Sequence, residues 1–401
     1  MTAHLPESRY AWQRLCVSVL IGTTGAVGLW SAIVALPAVQ ADFGVDRGSA
    51  SIPYTTTMIG AALGGVLMGR IADRRGIVIP IVVGGLALGS GYTLASYATS
   101  IWQFALIQGA LVGFLGSAAV FGPLIADISH WFTRNRGKAV AICASASYLA
   151  GTVWPPILEH AISTWGWRAT HFGIGIFCVS TMLPLSLVLR PRTPVQHETH
   201  TPESLGSALR VSPNLVQIML VIAGFACCVA MSMPQVHIVA YCGDLGYGPA
   251  RGAEMLSLML GFGVVSRLVS GWISDRIGGV PTMLVGSALQ CLALVFYLPF
   301  NGLVSLYVVS ALFGLSQGGI VPSYAMIVRE YFPAQEVGAR FGMVLMATIF
   351  GMAAGGWMSG AVFDWTGSYQ AAFLNGILWN LLNASIALWL LRQPRGRPVH
   401  A

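Results

Sequence analysis

An all-α polytopic membrane protein with twelve transmembrane helices in two pseudo-symmetric six-helix bundles is the fold class this sequence predicts, on three observations. Of its 401 residues, 55% are hydrophobic and 9% charged, whereas soluble domains carry roughly 25% charged residues. The apolar residues fall in runs of about 20, the length a helix needs to cross a bilayer. The turn Gly69-x-x-x-Asp73-Arg74-x-Gly76 recurs residue for residue as Gly271-x-x-x-Asp275-Arg276-x-Gly278, at an offset of 202. A duplicated architecture follows.

Taken in order, the apolar runs place spans near 15–38, 50–69, 77–97, 102–126, 139–162, 170–190, 215–240, 252–273, 281–299, 303–327, 341–363 and 370–391. The stretch from Met1 to Arg14 is polar and leads into an apolar run too long for a signal-peptide core, so the first span is expected to be retained. Residues 191–214 are the long polar stretch inside the chain and read as a cytoplasmic linker. Leu205, Leu209 and Val211 in it fit either a short surface helix or a disordered tether. The expected units are therefore 1–190, an N-terminal six-helix bundle, and 215–401, a C-terminal one. Further landmarks keep the register. Pro123 and Trp131-Phe132 match Pro322 and Tyr331-Phe332, and Trp165 matches Trp365, at offsets of 199 to 202. Two bundles facing each other across an axis along the membrane normal are implied, with a midplane cavity as the expected site.

Charge sets the topology. Of the 21 Lys and Arg, Arg267 lies inside a span and only Arg47, Arg168 and Arg251 fall on one set of alternating loops. The rest lie opposite, and the positive-inside bias makes that side, with both termini, cytoplasmic. The net charge of +7 thus reports orientation and not nucleic-acid binding. The seven cysteines have no metal or redox spacing and read as small packing residues. Gly109, Gly113 and Gly116, with Gly314, Gly318 and Gly319, allow close helix approach, for packing or for motion. Trp154-Pro155-Pro156 is expected to free carbonyls and kink the fifth span.

Arg267 is the costly residue, since an ionised side chain at that depth is expensive by several kcal/mol on contested scales. It serves either substrate binding or a structural bond to carbonyls. An intramembrane guanidinium without an acidic partner in its own helix suits a carboxylate, which its planar fork matches.

On these residues the chain resembles the major facilitator superfamily over essentially its whole length, the turns at 69–76 and 271–278 being similar to that superfamily's repeated loop motif. The first copy departs from it, with Ile77-Val78 in place of further basic residues. Within the superfamily, Trp131-Phe132-x-Arg134-x-Arg136-Gly137-x-Ala139 and His237-x-x-x-Tyr241-x-x-Asp244-Leu245-Gly246 resemble the monocarboxylate transporters and the bacterial oxalate/formate antiporters. Arg267 stands where those families place the arginine that binds the substrate carboxylate. Thr348 stands where the oxalate exchanger has a second cation, so the resemblance implies a single carboxylate. Gly263 replaces the aspartate of animal relatives, which puts that proton route in doubt.

The resemblance implies further substrate-binding residues: Tyr54, Phe121, Ser147, His237 and Gln317. Phe121 replaces a frequent tyrosine, and His237 is either a proton-coupling group or an interfacial residue. Asp73, Arg74, Asp275 and Arg276 are expected to cap or latch helix ends as gating residues. Asp127 and Glu159 are the membrane-embedded acids, Asp127 with an arginine of the loops as its expected partner.

The expected function is secondary active transport of a small organic anion, a monocarboxylate with proton symport. Anion exchange is an alternative, as is efflux of amphipathic drugs or metabolites, and a membrane sensor belongs to a different class. No phosphate loop, HExxH or nucleophile–base pair is present, so neither an enzyme nor a cofactor is expected. A monomer in a bacterial inner membrane, with the lipid bilayer, the anion and protons as partners, completes the expectation.

Overall fold

The computed structural model describes residues 7–191, 212–333 and 336–393. Leu205, Leu209 and Val211 lie outside them. Among the described residues eleven helical runs are long and apolar enough to span a membrane. One of these, Arg136–Val188, contains Gly166 at φ 81°, ψ 158°, outside the helical region, and so comprises two spans. The helices are α1 (Arg9–Phe43), α2 (Arg47–Arg75), α3 (Val78–Ser96), α4 (Ile101–Ser129), α5 (136–165) and α6 (167–188). They continue as α7 (Pro213–Asp244), α8 (Pro249–Ile277), α9 (Gly279–Phe296), α10 (Leu303–Tyr331), α11 (Val337–Thr366) and α12 (Tyr369–Arg392). Several run past their apolar stretches into polar ends, because helix hydrogen bonding does not stop where the bilayer core does.

The described residues group into two compact units, 7–191 with 239–257, and 212–238 with 258–393. Both α7 and α8 are thus shared between units along their length.

In lipid, apolar side chains gain nothing by leaving the solvent, so helices associate by close packing of small residues. The first unit applies this between α2 and α4. A Cβ on Gly60 would overlap the Gly109 carbonyl, one on Gly64 would overlap the Phe114 carbonyl, and one on Gly113 would overlap that of Thr57. The second unit repeats the device between α8 and α10, where a Cβ on Gly314, Gly318 or Gly319 would overlap Met259, Gly263 or Ser270. The glycines picked out for close approach therefore do make it.

The repeat extends to backbone conformation. Gly76 and Gly278 share a positive φ, 86° and 88°, with ψ 165° and 170°. Their amides close the preceding helices on Ala72 O at 2.8 Å and Ser274 O at 2.9 Å. Only glycine occupies that region without strain, which is why the repeated turn keeps its last residue. Breaks in α4 and α10 also correspond. In α4 a π-helical stretch, Gln108–Gly116, and a short tight turn, Ser117–Ala119, precede a new helix at Gly122. In α10 the helix ends at Gln317 and restarts at Ile320. Pro123 and Pro322 explain both, since each withholds the amide that would bond the carbonyl four residues earlier, Ala119 and Gly318.

One buried ion pair ties the first unit together at one end. Arg14 Nε and Nη2 donate to Asp127 Oδ2 and Oδ1, both at 2.8 Å. Its Nη1 donates to Tyr10 Oη at 2.9 Å, Leu189 O at 3.0 Å and Pro191 O at 3.3 Å. The guanidinium lies 4.7 Å from the Trp131 ring centroid. The partner of Asp127 is thus Arg14, one of the arginines that the charge sorting placed on the cytoplasmic side, and the structure buries it in α1. Removing one member of such a pair strands the other, at a cost of about 3–5 kcal/mol. Asp127→Asn is accordingly expected to lower the detergent melting temperature far more than Asp73→Asn at the exposed turn, as measured by fluorescence-detected unfolding.

Candidate functional site

Arg267 is half-buried on α8, within a span. At its level α8 packs on α10 through Ser266 and Ser270, and a Cβ on Gly318 would stand 2.9 Å from the Arg267 backbone nitrogen. Glycine at 318 brings α10 against α8 at the level of the arginine. Gln317, one residue earlier, is fully buried. The fold therefore brings two of the expected site residues, Arg267 and Gln317, to one level on neighbouring helices.

His237 also lies in this unit. It is fully buried on α7. Its Nε2 lies 2.8 Å from Gly356 O and its Nδ1 lies 3.3 Å from Tyr369 Oη, joining α7 to α11 and α12. Thr348 is buried, donates to Leu345 O at 2.6 Å and packs its methyl toward Gly224. The position where an exchanger carries its second cation is thus closed by helix packing.

The other three expected residues belong to the first unit. Tyr54 is buried on α2 and Phe121 is exposed at the break in α4. Ser147, half-buried on α5, donates to Ala144 O at 3.3 Å while its carbonyl accepts from Trp30 Nε1 at 3.3 Å.

Asp73, Arg74 and Asp275 are exposed and form no ion pair among the described residues. Arg276 stacks on Trp272 at 3.6 Å. The start of α9 is satisfied by Glu330, whose Oε1 accepts from the Gly279 amide at 2.9 Å. A carboxylate from the end of α10 thus accepts at the start of α9, and such a group is favoured at a helix N-terminus.

Two contacts that sequence reasoning did not find hold residues 239–257 to the rest of the first unit. Arg47 Nη1 and Nη2 donate to Asp244 Oδ2 and Oδ1, both at 3.1 Å. Arg47 sits at the start of α2, where Asp46 caps the helix, and Asp244 at the end of α7. Each charge opposes its own helix dipole, so the pair favours this contact and not either helix alone. Hydrogen bonds from the Ser49 hydroxyl and amide hold the Asp46 carboxyl below the usual carboxylate range. The second contact is the Ser257 hydroxyl donating to Thr152 O. Pro156 has no amide to offer Thr152, four residues back, so that carbonyl is free to accept from outside. Helical conformation nevertheless persists through Pro155 and Pro156, and Gly166 is where it fails. The proline pair thus frees carbonyls as expected, while the chain reverses at the glycine. Ser257 was not legible because its partner is a backbone atom.

His171 was likewise missed. It is fully buried on α6 among Tyr92, Phe104 and Trp167, with Nδ1 2.8 Å from Trp167 O. Among the described residues no group of three His, Cys, Asp or Glu could hold a metal.

This is the architecture of a multi-pass membrane transporter. The chain matches the Major Facilitator Superfamily over residues 19–308 and 253–401, and it belongs to that superfamily. Among curated proteins it is similar to monocarboxylate transporter 13 of Bos taurus, 26% identical over 336 residues, covering 81% of this chain and 75% of that protein. Among solved structures it is similar to a mutant of the nucleoside transporter NupG, with TM-score 0.73 and 16% identity over 94% of this chain and 100% of that one. A bacterial homologue of the human lysosomal transporter Spinster, inward-facing and occupied, gives TM-score 0.74 at 13% identity over 98% of this chain and 100% of that one.

The ion pair yields a direct test. Charge reversal, Arg47→Glu, is expected to impair transport, and the double exchange Arg47→Glu with Asp244→Arg to restore it. A double-mutant cycle on melting temperature should show coupling of about 1 kcal/mol.

Proposed function

We propose that this protein is a secondary active transporter of a small organic anion, a monocarboxylate moved with a proton, by alternating access to Arg267. The observation that carries the reading is the half-buried guanidinium of Arg267 inside a membrane span. Such a charge is costly at that depth and marks function. Its fork accepts a carboxylate in two parallel charge-assisted bonds. Similarity to a protein named monocarboxylate transporter 13 supports the same substrate class. The burial of Thr348 against α7 supports one carboxylate over two.

Tyr54, Phe121, Ser147, His237 and Gln317 are further proposed substrate-binding residues, and Asp73, Arg74, Asp275 and Arg276 proposed gating residues. Domain organisation follows the repeat, residues 1–190 and 215–401 working as the two bundles, each with its terminus on the cytoplasmic side of a bacterial inner membrane. With no nucleotide-binding motif in the sequence, an ion gradient or the gradient of the anion itself drives the cycle.

Proteoliposome uptake of radiolabelled lactate, pyruvate, formate and oxalate, with and without an inward proton gradient, tests the reading. Saturable uptake of the monocarboxylates, stimulated by the gradient, is expected. Loss of a charged partner costs about 2–5 kcal/mol, so Arg267→Gln should reduce uptake roughly thirtyfold or more. Arg267→Lys should retain a part, since it keeps the charge and loses the fork. Uptake indifferent to Arg267→Gln would overturn the proposal.

A further inference from the structure

Gln235 on α7 and Gln317 on α10 are 2% and 0% exposed. Gln235 Nε2 donates to Gln317 Oε1 at 2.7 Å. The complementary atoms, Gln235 Oε1 and Gln317 Nε2, are buried and have no hydrogen-bond partner. This follows from chemistry whichever way the amides are turned. Two carboxamides hold two acceptor oxygens and two donor NH2 groups, and a single bond between them leaves one of each unengaged. Each buried orphan costs about 1–3 kcal/mol, and an apolar pair of the same shape would avoid that cost. The arrangement is uneconomical as packing and sensible as half of a binding site.

Its place in the fold agrees. Gln317 precedes Gly318, whose missing side chain lets α10 rest on the Gly263 carbonyl and the Arg267 backbone nitrogen. On α7, two residues beyond Gln235, both ring nitrogens of His237 are already engaged with Gly356 and Tyr369. Unspent polar capacity at this level therefore lies on the two amides and on the Ser266 hydroxyl of α8, which is buried against Gly318 without a partner.

We infer that Gln235 and Gln317 form a polar subsite beside Arg267 that binds a hydroxyl or carboxamide on the carbon skeleton of the transported carboxylate. This inference rests on the anion reading of Arg267. A carboxylate oxygen only accepts, so it would satisfy the free NH2 and leave the free oxygen stranded. A hydroxyl or a carboxamide both donates and accepts, and it satisfies the two together. Arg267 holds the charge, and the amide pair reads the rest of the skeleton. A site built to hydrogen-bond a substrate group discriminates strongly against the analogue lacking it.

The test compares butyrate, 3-hydroxybutyrate and succinamate in proteoliposomes of the full-length protein, for the unmodified chain, Gln235→Met, Gln317→Met and Arg267→Gln. In the unmodified protein at least one polar analogue should be taken up about tenfold or more faster than butyrate, the ratio given by one discriminating interaction of about 1.4 kcal/mol. Which analogue wins separates a hydroxyl from a carboxamide. In either methionine variant the ratio should fall below about threefold. Thermal shift of the unmodified protein by the three ligands gives the same ranking without any variant, so a variant that fails to fold does not protect the proposal. Equal treatment of all three by the unmodified protein, with uptake that depends on Arg267, would overturn the amide subsite and leave the anion reading standing. A preference that survives in Gln235→Met would also overturn it. Uptake indifferent to Arg267→Gln would overturn both.

Discussion

Backbone-to-backbone contact between helices is the constraint on which the remaining structure depends. Gly60, Gly64, Gly109 and Gly113 let α2 and α4 meet with no side chain between them, and Gly314, Gly318 and Gly319 do the same for α8 and α10. In lipid this closeness is itself the source of attraction, since dispersion falls steeply with separation and no water is released. It also fixes positions. The α8 backbone at Arg267 meets α10 at Gly318 only because Gly318 carries no side chain.

Charges inside the protein are placed with equal economy. Arg14 is buried but has a carboxylate, a hydroxyl, two carbonyls and an aromatic face around it. It is satisfied, and it joins α1, α4 and the end of α6. The Arg47–Asp244 pair is weaker by its exposure, 9% and 38% at the two side chains. It joins the start of α2 to the end of α7. An ion pair partly open to water holds a contact that can also be released, because water replaces each partner at modest cost. Pro156 adds a second contact of the same kind by freeing Thr152 O for Ser257. Both involve residues 239–257, the portion of α7 and α8 that groups with the first unit.

Polar burial is unevenly resolved in the second unit. Tyr324 donates to Asn383 at 2.9 Å, Asn383 donates to the Ser287 hydroxyl at 2.6 Å, and Asn380 donates to the Ser287 carbonyl at 2.7 Å. That network binds α9, α10 and α12, with the Asn380 side-chain oxygen buried without a partner. At Gln235 and Gln317 half of the capacity is unspent.

The class of this protein was determined by its sequence alone, and for a physical reason. A bilayer demands about 20 apolar residues per helix, so spans are written in one dimension. The duplicated turn was legible because a glycine at φ near 87° cannot be replaced without strain, and its spacing therefore survives as a pattern. Arg267 was legible because a charge is conspicuous in an apolar run. What the tertiary structure decided were the partners. Asp127 meets Arg14 from 113 positions away, Glu330 satisfies the start of α9, and His237 lies buried against Gly356 and Tyr369. The Gln235–Gln317 bond links positions 82 apart. Such pairings depend on which faces two helices turn toward each other and at what height. Those quantities are set by packing in three dimensions, and no local spacing encodes them.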